Sequence, residues 1–273
     1  MQAMDSIVGN DDLKKQINRI FMKAIKTYKP GVNYKHNTGI LFHGVPGVGK
    51  SMIIGAILKD YVYPYELFIH KELNKSTLTS SKINKTAKVV DDLRKQIKND
   101  IHHIYILEID EADDILKRRT HNRHYAGELT SSMLKLIEGI DSPDNKIVLA
   151  ATNYIGDIDY AIKTRFNMVI EILPPSKEEL KLMIKKLIVD EYDICDYSES
   201  MLEIWAKHAK GFTGRDISKI SIELDDLLWE LRNVNSVTKL GFEHINMSIA
   251  KRISYNSRIR KLAKEHTIEG ERE

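Results

Sequence analysis

Between residues 39 and 53 the chain reads GILFHGVPGVGKSMI, and this stretch restricts the possible folds more than any other. An apolar run suited to a buried strand meets glycines at 44, 47 and 49, then Lys50, Ser51 and a helix-forming sequence. The pattern is G-x-x-x-x-G-K-[ST] between strand and helix, the context that its chemistry requires. Glycines let successive backbone N–H groups converge on phosphate oxygens, and the following helix N-terminus adds positive potential. Lys50 supplies a mobile charge for the outer phosphates, and Ser51 a hydroxyl for Mg²⁺. A nucleoside-phosphate cradle is therefore expected, with Pro46, Gly47, Val48, Gly49, Lys50, Ser51 and Met52 against the nucleotide.

The rest of the chain supplies a fold for such a loop. Residues 10–28 place Leu13, Ile17, Ile20, Phe21, Ala24 and Ile25 on one helical stripe, with Asn10 as N-cap. Short apolar runs (GILFHG, YELFIHK, IHHIYILEID, KIVLAATN, MVIEILP) then alternate with helical stretches, which argues for a parallel sheet covered on both faces. After Pro174 and Pro175 the character changes. Ser176 and Glu179 form a capping box ahead of Leu180, Met183, Ile184, Leu187 and Ile188 at helical spacing. A second helix stops at Gly211, and a longer one starts with Thr213 or Asp216 near its cap. The expected fold class is thus α/β, with domains at 1–175 (α/β, nucleotide-binding), 176–252 (a small helical lid) and 253–273 (a last helix and tail).

Two further strand ends carry chemistry. IYILEIDEAD places Asp110 at a strand tip, where it can bind Mg²⁺ through water, and Glu111 beside it, where it can polarise an attacking water. Glu108 falls on the same side of that strand as Asp110, an unusual place for a carboxylate, with a Lys or Arg partner expected. Asn153 ends the next strand, where its amide either holds the water and γ-phosphate or caps the turn. Arg165 stands near a helix end as a solvated cap, or as a cation offered to a neighbouring subunit's phosphate.

This ordered set resembles the AAA+ ATPases, more narrowly the founding AAA clade of katanin, the ESCRT-disassembly ATPases and the membrane-anchored proteases. The likeness covers residues 5 to about 250. It implies that Ile7, Val8 and Gly9 lie near the adenine, that residues 44–51 are Walker A and that Asp110 and Glu111 are Walker B. It further implies that Asn153 is sensor 1, that Arg165 is an arginine finger acting in trans, and that Gly214 in GFTGRDI lies by the base. Ile162 and Thr164 stand where many relatives carry a second finger, so interfacial activation rests on Arg165. Arg215 stands where most of the clade has Ala and where other AAA+ groups place sensor 2. The family's pore loop is aromatic, aliphatic, glycine; here it is Lys82-Ile83-Asn84, which weakens the case for threading.

These readings lead to an ATP- and Mg²⁺-dependent ring ATPase, expected to be a hexamer, that remodels or disassembles protein partners. No recognition domain is seen ahead of the module, so an adaptor or the bare pore would select the substrate. Two alternatives stay open: a nucleic-acid-linked AAA+ protein, such as a helicase loader or transposition regulator, and a slow ATP-dependent switch. Arg215 and the basic stretch with Arg118, Arg119 and Arg123 favour the former. Against it, 42 Lys+Arg nearly balance 39 Asp+Glu, so no chain-wide pull toward nucleic acid is implied. The guanine-selecting NKxD pattern is absent. Cys195 is the single cysteine, which excludes an intrachain disulfide and suits a reducing cytosol. His102, His103, His121 and His124 lack companions at ligand spacing and read as solvated. With no apolar run long enough for a signal or a membrane span, a cytoplasmic location is expected.

Overall fold

The computed structural model describes residues 2–29, 32, 36–74, 78, 86–116, 124–138, 142–192, 194, 197–234 and 239–270. The chain divides into Met1–Leu173 and Pro174–Glu273.

In the first unit the apolar runs become strands β1 (His36–His43), β2 (Phe68–Glu72), β3 (Ile104–Ile109), β4 (Asn145–Thr152) and β5 (Met168–Glu171). They form one sheet in the order β2-β3-β4-β1-β5, and every neighbouring pair is parallel. Parallel strands need crossovers, which put helices on both faces. Helices α1 (Ala3–Ser6), α2 (Asp11–Thr27) and α3 (Lys50–Ile57), with the π-turn Leu58–Val62, bury Ile40, Phe42, Ile106, Ile147 and Leu149. The opposite residues of the same strands, among them Leu41, Tyr105, Leu107, Ile109 and Val148, are buried by helices α4 (Thr86–Asn99), α5 (Ala112–Ile115), α6 (His124–Ile137) and α7 (Tyr160–Lys163). The β4 pattern is buried at all positions, as a central parallel strand requires.

Helix α2 follows the expected stripe, with Leu13, Ile17, Phe21 and Ala24 buried. Asn10 occupies the N-cap position but makes no side-chain cap. Gly9 and Asn10 are both left-handed (φ 76° and 56°) and turn the chain, so the first turn closes through the Asn10 carbonyl on Lys14 N–H.

The sheet's N-terminal end is pinned by buried polar groups. Asn145 Nδ2 donates to the carbonyls of Ile97, Asp100 and His103. Lys146, fully buried, donates from Nζ to Asn37 Oδ1 (3.1 Å), Ser142 Oγ (2.7 Å) and the Pro143 carbonyl (2.6 Å). Its burial pushes the amine down to about 8, against the opposing pull of Asp144 and Glu138. His103 is not simply solvated: its Nδ1 lies 2.9 Å from Asp100 Oδ2.

The second unit is helical among the described residues: α8 (Lys177–Ile184) with the π-turn Lys185–Val189, α9 (Glu199–His208), α10 (Gly214–Val234) and α11 (Phe242–Gly270). The Ser176–Glu179 capping box is present in both directions. Trp205 is buried at the centre, stacked on Phe242 and donating from Nε1 to Asn246 Oδ1 at 2.7 Å. Asp216 Oδ2 accepts from Thr213 N–H and Oγ1–H, while its Oδ1 takes Nε and Nη2 of Arg252 at 2.9 and 2.7 Å. Helix α11 runs through residues 252 and 253 without interruption, and Arg252 is buried against Asp216.

Candidate nucleotide site

Loop 44–49 leaves β1 and enters α3, and its path depends on residues without a side chain. A Cβ on Gly44 (φ +149°) would lie 2.3 Å from the Ile172 carbonyl oxygen, beyond any tolerable contact. Gly49, at φ +103°, is the N-cap of α3 and brings no capping side chain, so the first amides of the helix stay available to an anion.

Lys50 is buried beneath this loop rather than extended into water. Its Nζ donates to the carbonyls of Gly44 (2.7 Å) and Val45 (3.1 Å) and to Asn153 Oδ1 (2.7 Å). Because β4 lies between β1 and β3 in the sheet, Asn153 stands between the loop and Asp110. Ser51 Oγ donates to Asp110, 3.0 Å from Oδ2. A hydroxyl and a carboxylate gathered in this way are hard oxygen donors, a set that fits Mg²⁺.

Glu111 follows with φ 50°, a left-handed conformation that a non-glycine residue adopts at a cost of about 1 kcal/mol. Its N–H donates to Asp110 Oδ1 (3.0 Å), and its side chain is exposed beyond the strand tip. Backbone strain concentrated on the candidate base fits a position fixed by use. Reading strand ends alone missed two supporting residues. Thr152 Oγ1 donates to Asp113 Oδ1 (2.7 Å) and accepts from Tyr154 N–H (3.0 Å), tying the turn that carries Asn153 to α5. A threonine before the terminal Asn and an acid after Glu111 are the signals that could have revealed the pair.

Ile7 is buried in the same cluster as Ile53 and Val48, with Val8 half-buried beside it. Asp60 fixes the approach to this segment by accepting from the N–H groups of Ala3 and Met4, both at 2.7 Å. Pro46 and Met52 are exposed around the loop. The Arg165 guanidinium donates to the Glu138 carbonyl at the end of α6, away from Lys50, Asp110 and Asn153 in hydrogen bonding. Gly214 and Arg215 form the first turn of α10 in the helical unit, and Arg215 is exposed. Lys82, Ile83, Asn84, Arg118, Arg119, Arg123, His121 and Cys195 lie outside the described residues. Among the described residues no group of three His, Cys, Asp or Glu side chains could hold a metal ion. None of their helices is long and apolar enough to cross a membrane.

Glu108 has a histidine partner, in place of the expected Lys or Arg. His70 Nε2, from β2, lies 2.8 Å from Glu108 Oε2, and both side chains are largely buried.

Residues 40–173 match the family model described as ATPase family associated with various cellular activities (AAA). A putative 26S proteasome regulatory subunit homolog of Methanothermobacter marburgensis is 28% identical over 219 residues, covering 80% of this chain and 56% of the relative. A proteasome-activating nucleotidase of Saccharolobus islandicus is 27% identical over 231 residues (78% and 55%). The ATP-dependent zinc metalloprotease YME1L of Drosophila melanogaster is 26% identical over 228 residues (80% and 29%). The chain thus spans about half the length of the first two relatives, and less of the third. A chain of the E. coli MS115-1 HORMA:CdnC:Trip13 complex shares the fold at a TM-score of 0.70 with 16% identity, covering 91% of this chain and 90% of that one. The phosphate loop and the tips of β3 and β4 all fall inside the matched residues, and residues 40–173 are an AAA ATPase domain.

Proposed function

We propose that this chain binds ATP with Mg²⁺ at the C-terminal ends of β1, β3 and β4 and hydrolyses it, as one subunit of a homo-oligomeric ring, to remodel protein partners in the cytoplasm. The observation that carries the reading is the convergence of Lys50 with Asn153, and of Ser51 with Asp110, at three adjacent strand ends.

Each residue has a task that its position suits. Loop amides and the α3 N-terminus bind the phosphates, and Lys50 exchanges its loop carbonyls for phosphate oxygen. Ser51 and Asp110 would hold Mg²⁺, directly and through water. The metal, when bound, supplies neutralisation of charge developing on the phosphate oxygens. Glu111 accepts a proton from water as that oxygen attacks the γ-phosphorus; the P–O bond to ADP breaks and its electron pair leaves with ADP. Asn153 orients the water and the γ-phosphate. Arg165 is offered to a neighbouring subunit's phosphate, and Gly214 and Arg215 report nucleotide from the lid. Ile7, Val8 and Gly9 are the proposed adenine contacts.

The protein-remodelling part rests on likeness to relatives named as proteasome regulatory, proteasome-activating and protease-linked ATPases. Protein substrates or an adaptor, and a ring of six subunits, belong to the same proposal. The near balance of charge gives no support to nucleic acid as the partner. The test is phosphate release by the whole chain with and without Mg²⁺, DNA and a candidate protein partner, beside native mass measurement with ATP. Mg²⁺-dependent release, indifference to DNA and an ATP-dependent oligomer are expected. Release that requires DNA, or no release at all, would overturn the reading.

A further inference from the structure

Glu108 is the one carboxylate on β3 that the proposed mechanism leaves unused. Along that strand Tyr105, Leu107 and Ile109 pack beneath α4–α7, whereas Ile104 and Ile106 pack beneath α2 and α3. Alternation places Glu108 on the α3 side, between Ile106 and Asp110. The Ser51–Asp110 hydrogen bond marks the same side at the strand tip. Asp110 lies two positions on from Glu108, with Ile109 between them, about 7 Å along the chain.

Such a location disfavours a carboxylate unless it is needed or neutralised. The Glu108 side chain is only 17% exposed, and His70 on β2 holds it at 2.8 Å, with the Tyr63 ring edge-on to the imidazole. Among the described residues, neither lysine nor arginine forms an ion pair with Glu108. The proposed Mg²⁺ position therefore has negative charge behind Asp110 as well as on it.

We propose that Glu108 is a charge-selecting residue of the nucleotide site, which makes binding favour the Mg²⁺ complex over the free nucleotide. This rests on the proposed assignment of residues 44–51 and Asp110 to nucleotide and metal. A fixed carboxylate at this depth repels phosphate charge and attracts a divalent cation. Uncomplexed ADP meets the repulsion in full, while in the Mg²⁺ complex the attraction offsets it. His70 is a positioning residue: its hydrogen bond from β2 allows the carboxylate to stay buried on the sheet.

The experiment is calorimetric titration of ADP into the whole chain, in EDTA and in excess Mg²⁺, which needs no turnover. The ratio of the two dissociation constants measures the coupling between metal and nucleotide. Glu108→Gln keeps the size of the side chain and an acceptor for His70. Its ratio is expected to fall about tenfold, mainly because binding in EDTA tightens. Glu108→Leu, apolar like Ile106 one pleat below, should do the same, and either folded variant decides the matter. Melting curves without nucleotide identify the folded variants, and Asp110→Asn should remove most of the coupling. A parent with strong coupling and Glu108 variants within about twofold of it would overturn this inference alone. A parent that binds no ADP, or binds it equally in EDTA and Mg²⁺, would overturn the inference together with the site assignment beneath it.

Discussion

Lys50 Nζ lies 2.7 Å from Asn153 Oδ1, so the cation of the phosphate loop and the polar tip of β4 are already joined before any ligand is considered. With the carbonyls of Gly44 and Val45 as its other acceptors, Lys50 braces the loop from within. A phosphate bound at this loop would compete with Asn153 for the amine.

That contact makes Asn153→Asp informative. A carboxylate at 2.7 Å would turn a neutral acceptor into the second charge of an ion pair and hold Lys50 against the phosphates. Nucleotide affinity should fall about tenfold or more, read by titration with ADP, whereas Asn153→Ala should leave it within a few-fold. Equal affinities in both variants would show that Lys50 does not need to leave Asn153.

Gly44→Ala tests the loop path. The added Cβ would meet the Ile172 carbonyl oxygen at 2.3 Å, at a φ of +149°. The loop must move away from β5, at a cost of about 1–3 kcal/mol. A lower melting temperature together with weaker ADP binding is expected; unchanged melting and binding would contradict this account of the turn.

Lys146 gives stability a pH dependence with a definite sign. Its folded value of about 8 is below the ordinary 10.5, so between these values the unfolded chain binds more protons and stability rises with pH. The gain is of the order of 3 kcal/mol. It ends near pH 10, where the buried Tyr105 and the half-buried Tyr192, both pushed up to about 12, begin to favour the unfolded state. Urea unfolding of the parent should strengthen from pH 8 to 10, and the slope should vanish in Lys146→Met. A parent midpoint that falls over this range would refute the buried-amine account.

In the helical unit, burial would raise Asp216, but donation from Thr213 N–H, the Arg252 guanidinium and the Thr213 hydroxyl holds it below the ordinary carboxylate value. Its stabilisation is therefore present above that value and lost as pH falls through the lower folded one. Arg252→Ala strands the carboxylate and should cost about 3 kcal/mol of unfolding free energy. A loss below about 1 kcal/mol would place the pair in solvent.

Much of the first unit was legible because strand and helix periods differ, and because each apolar run ended at a glycine or a polar tip. The phosphate loop could be read from spacing alone. Contacts between distant segments could not. His70 reaches Glu108 across neighbouring strands, and nothing in IYILEID distinguishes a histidine partner from a lysine. Arg252 shows the same limit, because in sequence a buried arginine looks the same as a solvated one. At Asn10 the residue type suggested a side-chain cap, but its left-handed backbone serves the turn instead. The roles proposed for Arg165, Gly214 and Arg215 depend on a neighbour or on the nucleotide, and no local pattern encodes either.

The central claim, that this chain hydrolyses ATP with Glu111 as the base, is tested most directly by Glu111→Gln measured for ATP binding and phosphate release in the same preparation. The amide keeps the size of the side chain and leaves Lys50, Ser51 and Asp110 intact, but it cannot accept the proton from water. ATP affinity should stay within a few-fold of the parent while release falls about 10²-fold or more, and ATP-bound oligomers should accumulate. Release near the parent rate would contradict the account.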